Sequence, residues 1–401
     1  MNEAYLEKRY SNFIITLLLL FPILINSVKI LGNFILLILF FLGLYIAITE
    51  KKNPFQIPEL KLFSWLTTGY FLVMLLSILI ADGFNAELYH LGRKIHFLFA
   101  PFIALAIFQV DFSLKKILLS IKVGLIAIGT VAITGPLLGS MINANIFSDI
   151  AVAMLFLSIV QIFSETQQER IVTFIAALMG GYAIYLTGAR GSWVSFLILF
   201  IVFVGLTYKP FIHGNNKAGL FLVLLCVGLL GFVSTNDRVE SRIKLAVGEI
   251  QNWNSGHNAN DSVGLRLQMW RAGLNAAKES PWVGYGYRNA NKVASKYAPN
   301  NKKTIENKTH LHNEYITSLV SAGVIGLLAL TALLLLPLRI FLSGLKQDEK
   351  YFYSLMGVML CVGYATFGFT HIIFGEEHIN AFYILFMSFL LPRVVGGDNA
   401  L

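Results

Sequence analysis

Apolar runs of roughly 18 residues, parted by short polar clusters, recur from one end of the chain to the other and predict membrane-crossing helices. About twelve spans are expected, at 12–29, 31–48, 63–81, 95–110, 117–135, 148–164, 171–187, 192–208, 218–234, 315–336, 353–374 and 379–396. The first run leads straight into the second with no convincing small-residue cleavage site, so a cleavable signal peptide is not expected. The pattern breaks once, over 235–314. Three regions follow: a membrane domain at 1–234 with about nine spans, a large outer loop at 235–314, and a second membrane part at 315–401 with the last three spans and the C-terminus. The expected fold is an all-α polytopic membrane protein with one large, partly helical loop.

Composition agrees with this picture. The chain is 56 % hydrophobic and only 13 % charged, a balance that soluble domains rarely tolerate. Lys and Arg in the short loops then set the orientation. One set of loops carries Lys8, Arg9, Lys51, Lys52, Lys61, Lys115, Lys116, Arg170, Lys209, Lys217, Arg339, Lys346, Lys350 and Arg393. The opposite set carries only Lys29, Arg93, Lys94 and Arg190 outside its long loop. Both termini are therefore expected in the cytoplasm and 235–314 on the outer side. The net charge of +9 is mostly this bias and no sign of nucleic-acid binding. The outer loop is itself basic, which suits an anionic partner such as a lipid phosphate and also suits plain contact with membrane-lipid headgroups. Cys226 and Cys361 fall in predicted spans, where a buried thiol is the ordinary outcome.

Within the outer loop, 261–280 predicts an amphipathic helix. Asp261 or Ser262 can cap it, Val263, Leu267, Trp270 and Leu274 recur at helical spacing, and Pro281 stops it. Arg266 and Arg271 flank the apolar stripe on either side. The stretch that follows, PWVGYGYRNA, predicts a tight aromatic turn near the lipid surface.

Three places carry candidate chemistry. Gly188 and Gly191 bracket Arg190 in a minimal turn between two spans. A cation at a helix N-terminus opposes the macrodipole unless an anion joins it, and the backbone N–H groups there favour phosphate. A snorkelling interfacial arginine is the plainer alternative. His310 and His312, with Asn313 and Glu314, stand at the mouth of the span at 315–336. Histidine suits proton transfer near neutrality, Asn313 can bind a sugar hydroxyl, and Glu314 can orient a ring or a basic side chain. A capping cluster at the water interface is the alternative. His371, with Glu376, Glu377 and His378, is expected at similar depth in a secondary role. The sequence holds no P-loop, no HExxH, and no Asp-x-Asp pair to hold a divalent ion.

With these residues in view, the chain resembles the O-antigen ligase family, within the wider group of O-antigen ligases, O-antigen polymerases and protein-O-oligosaccharyltransferases. The resemblance runs over essentially the whole length, and three local patterns carry it. Arg190 in TGARGSW stands where the family has an arginine before a span, with Val194 in place of the usual leucine. Arg266 in GLRLQMW stands for the family's loop-helix arginine and is followed by SPWVGYGY, similar to a Ser-Pro-x-x-Gly-x-Gly turn. His312-Asn313, followed after nine residues by Gly323 and then Gly326, is similar to the ligase pattern.

The resemblance implies transfer of a polysaccharide en bloc from undecaprenyl diphosphate to a sugar hydroxyl of lipid A–core oligosaccharide. The site would face the periplasm of a bacterial inner membrane, and the chemistry would be inverting, with neither metal nor cofactor. Arg190 and Arg266, with Arg288 as a third, would hold the diphosphate, and His312 would act as base or position the acceptor. Asn313, Glu314, His310, His371, Gly323 and Gly326 would support them. An O-antigen polymerase uses the same donor and is the nearest alternative. A transporter is a more distant one, since few charges, Lys122 and Asp149 among them, lie within the spans.

Overall fold

Among the described residues every regular element is helical, as bilayer-buried backbone demands when no barrel closes. The computed structural model describes residues 3–28, 30–82, 89–134, 143–213, 241, 244, 245, 247–249 and 262–396. The chain runs through α1 (Glu3–Leu24), α2 (Leu31–Thr49), α3 (Pro58–Asp82), the single turn α4 (Tyr89–Gly92), α5 (Ile95–Phe108), α6 (Leu114–Thr134), α7 (Ala144–Ser158), α8 (Gln167–Thr187) and α9 (Arg190–His213). After 262 come α10 (Ser262–Glu279), α11 (Ala290–Ser295), α12 (Lys302–Glu306), α13 (Glu314–Gly344), α14 (Tyr351–Phe367) and α15 (Glu377–Val395). The expected span at 218–234, with Cys226, lies outside the described residues, as does Asp261.

Seven of the described helices, α2, α3, α6, α8, α9, α13 and α15, are long and apolar enough to cross a membrane, which makes this a multi-pass membrane protein. Against the expectation of about twelve, seven of the described helices reach full length. Three others are apolar but short: Tyr10–Leu24 within α1, and α5 and α7. At about 1.5 Å per residue, the 14 residues of α5 reach well under the roughly 30 Å of a hydrocarbon core. The expected span at 353–374 also ends early. Its helix stops at Phe367, and 368–376 is an irregular loop.

The centre of the bundle is α15, whose side chains from Ile379 to Pro392 are all buried. It packs on α5, α3 and α14, and α13 packs on α14 and α3. The buried hydroxyl of Tyr364 donates to Ile379 O, and that of Tyr383 donates to Leu333 O. One charge pair inside the bundle is compensated from within. Lys122 of α6 pairs with Glu165, both about 6 % exposed or less, and Thr173 Oγ1 donates to the same carboxylate at 2.7 Å.

Two departures from the expected pattern shape the site. Helix α10 forms where predicted, but Met269, Ala272, Ala276 and Ala277 are its buried face, while Leu274 of the predicted stripe is 46 % exposed. Small residues let α10 approach α13 closely: a methyl on Gly273 would press on Ile316 and Leu311. Met269 joins them in the contact, and Leu265 and Trp270 pack at its margin.

The second departure is a break within α13. Ala322 and Gly323 leave helical geometry, and Gly323 takes φ +63° with ψ −162°, a region essentially reserved for glycine. The break frees carbonyls at Val320 and Ser321, which accept from Tyr285 N (2.9 Å) and Gly286 N (2.8 Å). Val324 N, also freed, donates to Pro281 O at 2.7 Å, and Ser77 Oγ of α3 gives Ser321 O a second donor. The turn SPWVGYGY and the broken helix thus complete each other's backbone hydrogen bonds. Backbone meets backbone here, because a side chain on Gly323 would strike Trp282 and Val283, and one on Gly284 (φ +68°) would strike Ser321.

Candidate functional site

The start of α9 supplies the first part of the site. Thr166 and Glu169 form a capping box at the head of α8, and α8 ends in the left-handed cap Gly188 (φ +63°). The reversal leaves Arg190 as the first residue of α9. Gly191 is bare because Thr370 of the 368–376 loop packs where its side chain would stand. Ser192 Oγ donates to Asp149 Oδ1 of α7 at 2.6 Å, and Asp149 Oδ2 is buried without a partner among the described residues.

Helix α10 brings Arg266 to the same place. Arg190, Arg266, Asp149, Ser192, Asn145 and Thr370 line one cavity of about 150 Å³, several times the roughly 30 Å³ share of a water. Arg190 Nη1 is 3.1 Å from Glu249 Oε2. Arg266 makes no hydrogen bond or ion pair among the described residues. Burial holds its guanidinium below the usual arginine range, Arg190 adds like-charge repulsion, and Glu249 opposes both. Two guanidiniums beside the N-terminus of a long helix give a cavity that an anion would relieve.

The histidines form the second part. Trp270 Nε1 donates to Leu311 O at 3.1 Å and so anchors the irregular stretch before α13 to α10. His312 is held at φ +52°, an uncommon left-handed conformation for a residue with a side chain. His310 and His312 have ring centroids 4.5 Å apart, and His371 lies 5.2 Å from the first and 6.2 Å from the second. Among the described residues each ring keeps one buried nitrogen without a partner: Nε2 of His310, Nδ1 of His312 and Nε2 of His371. His371 Nδ1 donates to Ile372 O (2.8 Å), which leaves its Nε2 as the bare acceptor of the neutral ring. Burial, then Arg266, His371 and Lys308, push His312 down to about 4, and burial pushes His371 to about 4 as well. His310 falls to about 2 from burial and the charges of the other two. All three rings are neutral at pH 7 and able to receive a proton. Thr370 lines the arginine cavity and His371 follows it in sequence, so the two parts of the site adjoin.

The remaining expected residues fall elsewhere in the architecture. Asn313 caps α13, its Oδ1 accepting from Ile316 N (3.0 Å), while its Nδ2 donates to Phe369 O (3.2 Å). Glu314, 1 % exposed, accepts from Ile373 N (2.9 Å) and Phe374 N (3.3 Å). Both therefore grip the loop that carries His371. Gly323 makes the break in α13, and Gly326 follows within its continuing helix, close to the Ala322 methyl. Arg288 is exposed on the turn before α11 and does not line the cavity. Glu376 pairs with Arg93, and Glu377 accepts from Asn33.

Asp149, Glu249 and Thr370 join the site without having been singled out for it, and Lys94 braces the loop that carries His371. Lys94 and Asp149 had a signal: the first is a cation against the orientation bias, the second an acid within a span. Thr370 had none. A separate apolar groove of about 600 Å³ runs along α10, walled by Leu274, Ala277, Pro281, Leu319 and Val324 and rimmed by Arg271 and Lys278.

Comparison with known proteins bears on this site. A sequence model of the family described as O-antigen ligase matches residues 174–331, which take in Arg190, Arg266, His310, His312, Gly323 and Gly326. The expected resemblance to that family is shown. An uncharacterised protein of Haemophilus influenzae is 28 % identical over 404 residues, covering 96 % of this chain and 95 % of its own length.

Proposed function

We propose, from the O-antigen ligase family match over 174–331, that the chain transfers a polysaccharide from undecaprenyl diphosphate to a sugar hydroxyl of lipid A–core oligosaccharide. One observation carries the reading: Arg190 and Arg266 line a single cavity that adjoins a cluster of three neutral imidazoles. The acceptor oxygen attacks the anomeric carbon as its bond to the diphosphate oxygen breaks. The electron pair leaves with the diphosphate, and the hydroxyl proton passes to His312. Charge grows on the diphosphate in the transition state, and fixed guanidiniums stabilise it most at that point. His312 meets the first need of a base, being uncharged at working pH with a bare ring nitrogen, though its depressed value makes it a weaker one than a free imidazole. The apolar groove along α10, with basic residues at its rim, supports a lipid-linked substrate. With both termini cytoplasmic, the site faces the periplasm from a bacterial inner membrane.

The test is gel analysis of lipopolysaccharide from a strain deleted for this gene and complemented with wild type, His312→Ala or Arg190→Ala. Deletion and both variants are expected to leave bare core while polymer accumulates on the lipid carrier. Core capped with a single repeat would instead identify a polymerase, and an unchanged ladder would overturn glycosyl transfer.

A further inference from the structure

Arg93 and Lys94 sit on the side of the bundle where loop cations are scarce, and both are engaged with the 368–376 loop. Arg93 Nη1 is 3.3 Å from Glu376 Oε1, and Arg93 O accepts from Asn380 Nδ2 at 2.7 Å. Lys94 goes deeper. It is 2 % exposed, and its Nζ donates to Tyr70 Oη at 2.9 Å and to Phe374 O at 2.7 Å. The ammonium also stands about 5 Å over the rings of Tyr70 (5.1 Å) and Tyr287 (5.0 Å).

Glu314 holds the same residue from the other side. Its Oε2 accepts from the N–H groups of Ile373 and Phe374, while Lys94 takes the carbonyl of Phe374. A buried carboxylate and a buried ammonium therefore grip the two polar ends of one residue's backbone. The other end of the loop is tied by Glu314 N to Gly368 O (2.8 Å) and by Asn313 Nδ2 to Phe369 O. Between these ties lies His371, 1 % exposed, with its bare Nε2 among His310 and His312. Burying an ammonium is costly without full compensation, and an apolar side chain would fill the same space at less cost.

We propose that Lys94 is a positioning residue for the transfer reaction, fixing the 368–374 loop so that His371 faces His310 and His312. The catalytic part of this rests on the function proposed above; the geometric part does not. Lys94 is not among the groups that depress His371, which are burial first and then Arg266, so a change in the His371 titration on altering Lys94 reports movement of the loop. The groups facing His371 are His310, His312 and Arg266.

The experiment is NMR of histidine-labelled full-length protein in detergent micelles, with the His371 signal assigned by His371→Gln. In wild type that signal is expected to stay constant from pH 8 down to about pH 5, matching a value near 4. In Lys94→Met it is expected to titrate toward the ordinary value of about 6.5. Glu314→Gln removes the opposing charge without changing shape and is expected to move His371 the same way, which covers the case where Lys94→Met does not yield folded protein. In transfer assays, Lys94→Met is expected to lower kcat by about tenfold to a hundredfold with donor KM nearly constant. Added to His371→Ala, it is expected to cause no further loss. An unmoved His371 titration in either variant overturns the proposal, and so do losses that multiply in the double variant. A moved titration in protein that transfers no glycan would overturn the proposed function and leave the positioning role standing.

Discussion

At the scale of single residues, the histidine cluster makes the sharpest predictions. A histidine depressed in the folded state binds fewer protons than in the unfolded chain between the two values, so stability falls as pH drops through that window. His312 and His371, near 4 when folded against about 6.5 unfolded, are fully neutral at pH 7 and lose their contribution on acidification. The melting temperature in detergent is expected to fall between pH 6.5 and pH 4, and His312→Gln to flatten that fall. His312→Gly is expected to abolish transfer without lowering the melting temperature, because glycine relieves the φ of +52°. A loss of stability in that variant would mean the ring is needed for packing. Arg266→Lys tests the anion site: a point charge replaces a planar fork, and kcat/KM for the lipid-linked donor is expected to fall by about tenfold or more, with Arg266→Ala worse. The sequence told which residues to examine here. It did not tell that Asn313 and Glu314 would turn inward to hold a loop, since that depends on what α14 places beside them.

At the scale of elements, the informative feature is the broken α13 with its turn. Gly323→Ala puts a methyl against the Trp282 and Val283 backbone in a conformation only glycine adopts freely. It is expected to cost about 3 kcal/mol or more and to prevent recovery of monodisperse protein in size-exclusion chromatography. Gly326→Ala, in ordinary helical geometry and crowded most closely by the Ala322 methyl, is expected to cost distinctly less. Equal losses would argue that helix packing, and not the break, is what the pair protects. Periodicity located nearly every helix but could not see this break, because one glycine in an apolar run looks the same whether it bends or continues. It also placed Leu274 of α10 in the buried stripe, where it is exposed, while Met269, Ala272, Ala276 and Ala277 make the protein contact.

At the scale of the whole molecule, charge is placed by two rules, one for loops and one for the interior. Inside the bundle, among the described residues, Lys122 and Glu165 are compensated by each other and by Thr173. Lys122→Met, which leaves Glu165 buried alone, is expected to destabilise by about 3–5 kcal/mol, and Lys122→Met with Glu165→Leu to recover most of it, read as detergent melting temperatures. No recovery in the double variant would point to a use for the pair beyond its own neutralisation. On the side opposite the basic loops, Arg93, Lys94 and Arg190 are each tied to an acid or to backbone around the site. Three of the four cations that ran against the bias therefore cluster around the candidate site; the fourth, Lys29, lies outside the described residues.

The sequence by itself determined the all-helical membrane class, the turn around Arg190, the loop helix with Arg266 and the histidines at the mouth of α13, because hydropathy and helix caps act over a few residues. Tertiary structure alone decided that Arg190 and Arg266 share a cavity and that His371 completes a cluster with His310 and His312. It also decided that Lys94 and Glu314 meet at Phe374. These pairs are separated by tens to hundreds of residues, and what joins them is the packing of α7, α9, α10, α13 and the loop before α15. No local pattern encodes that packing.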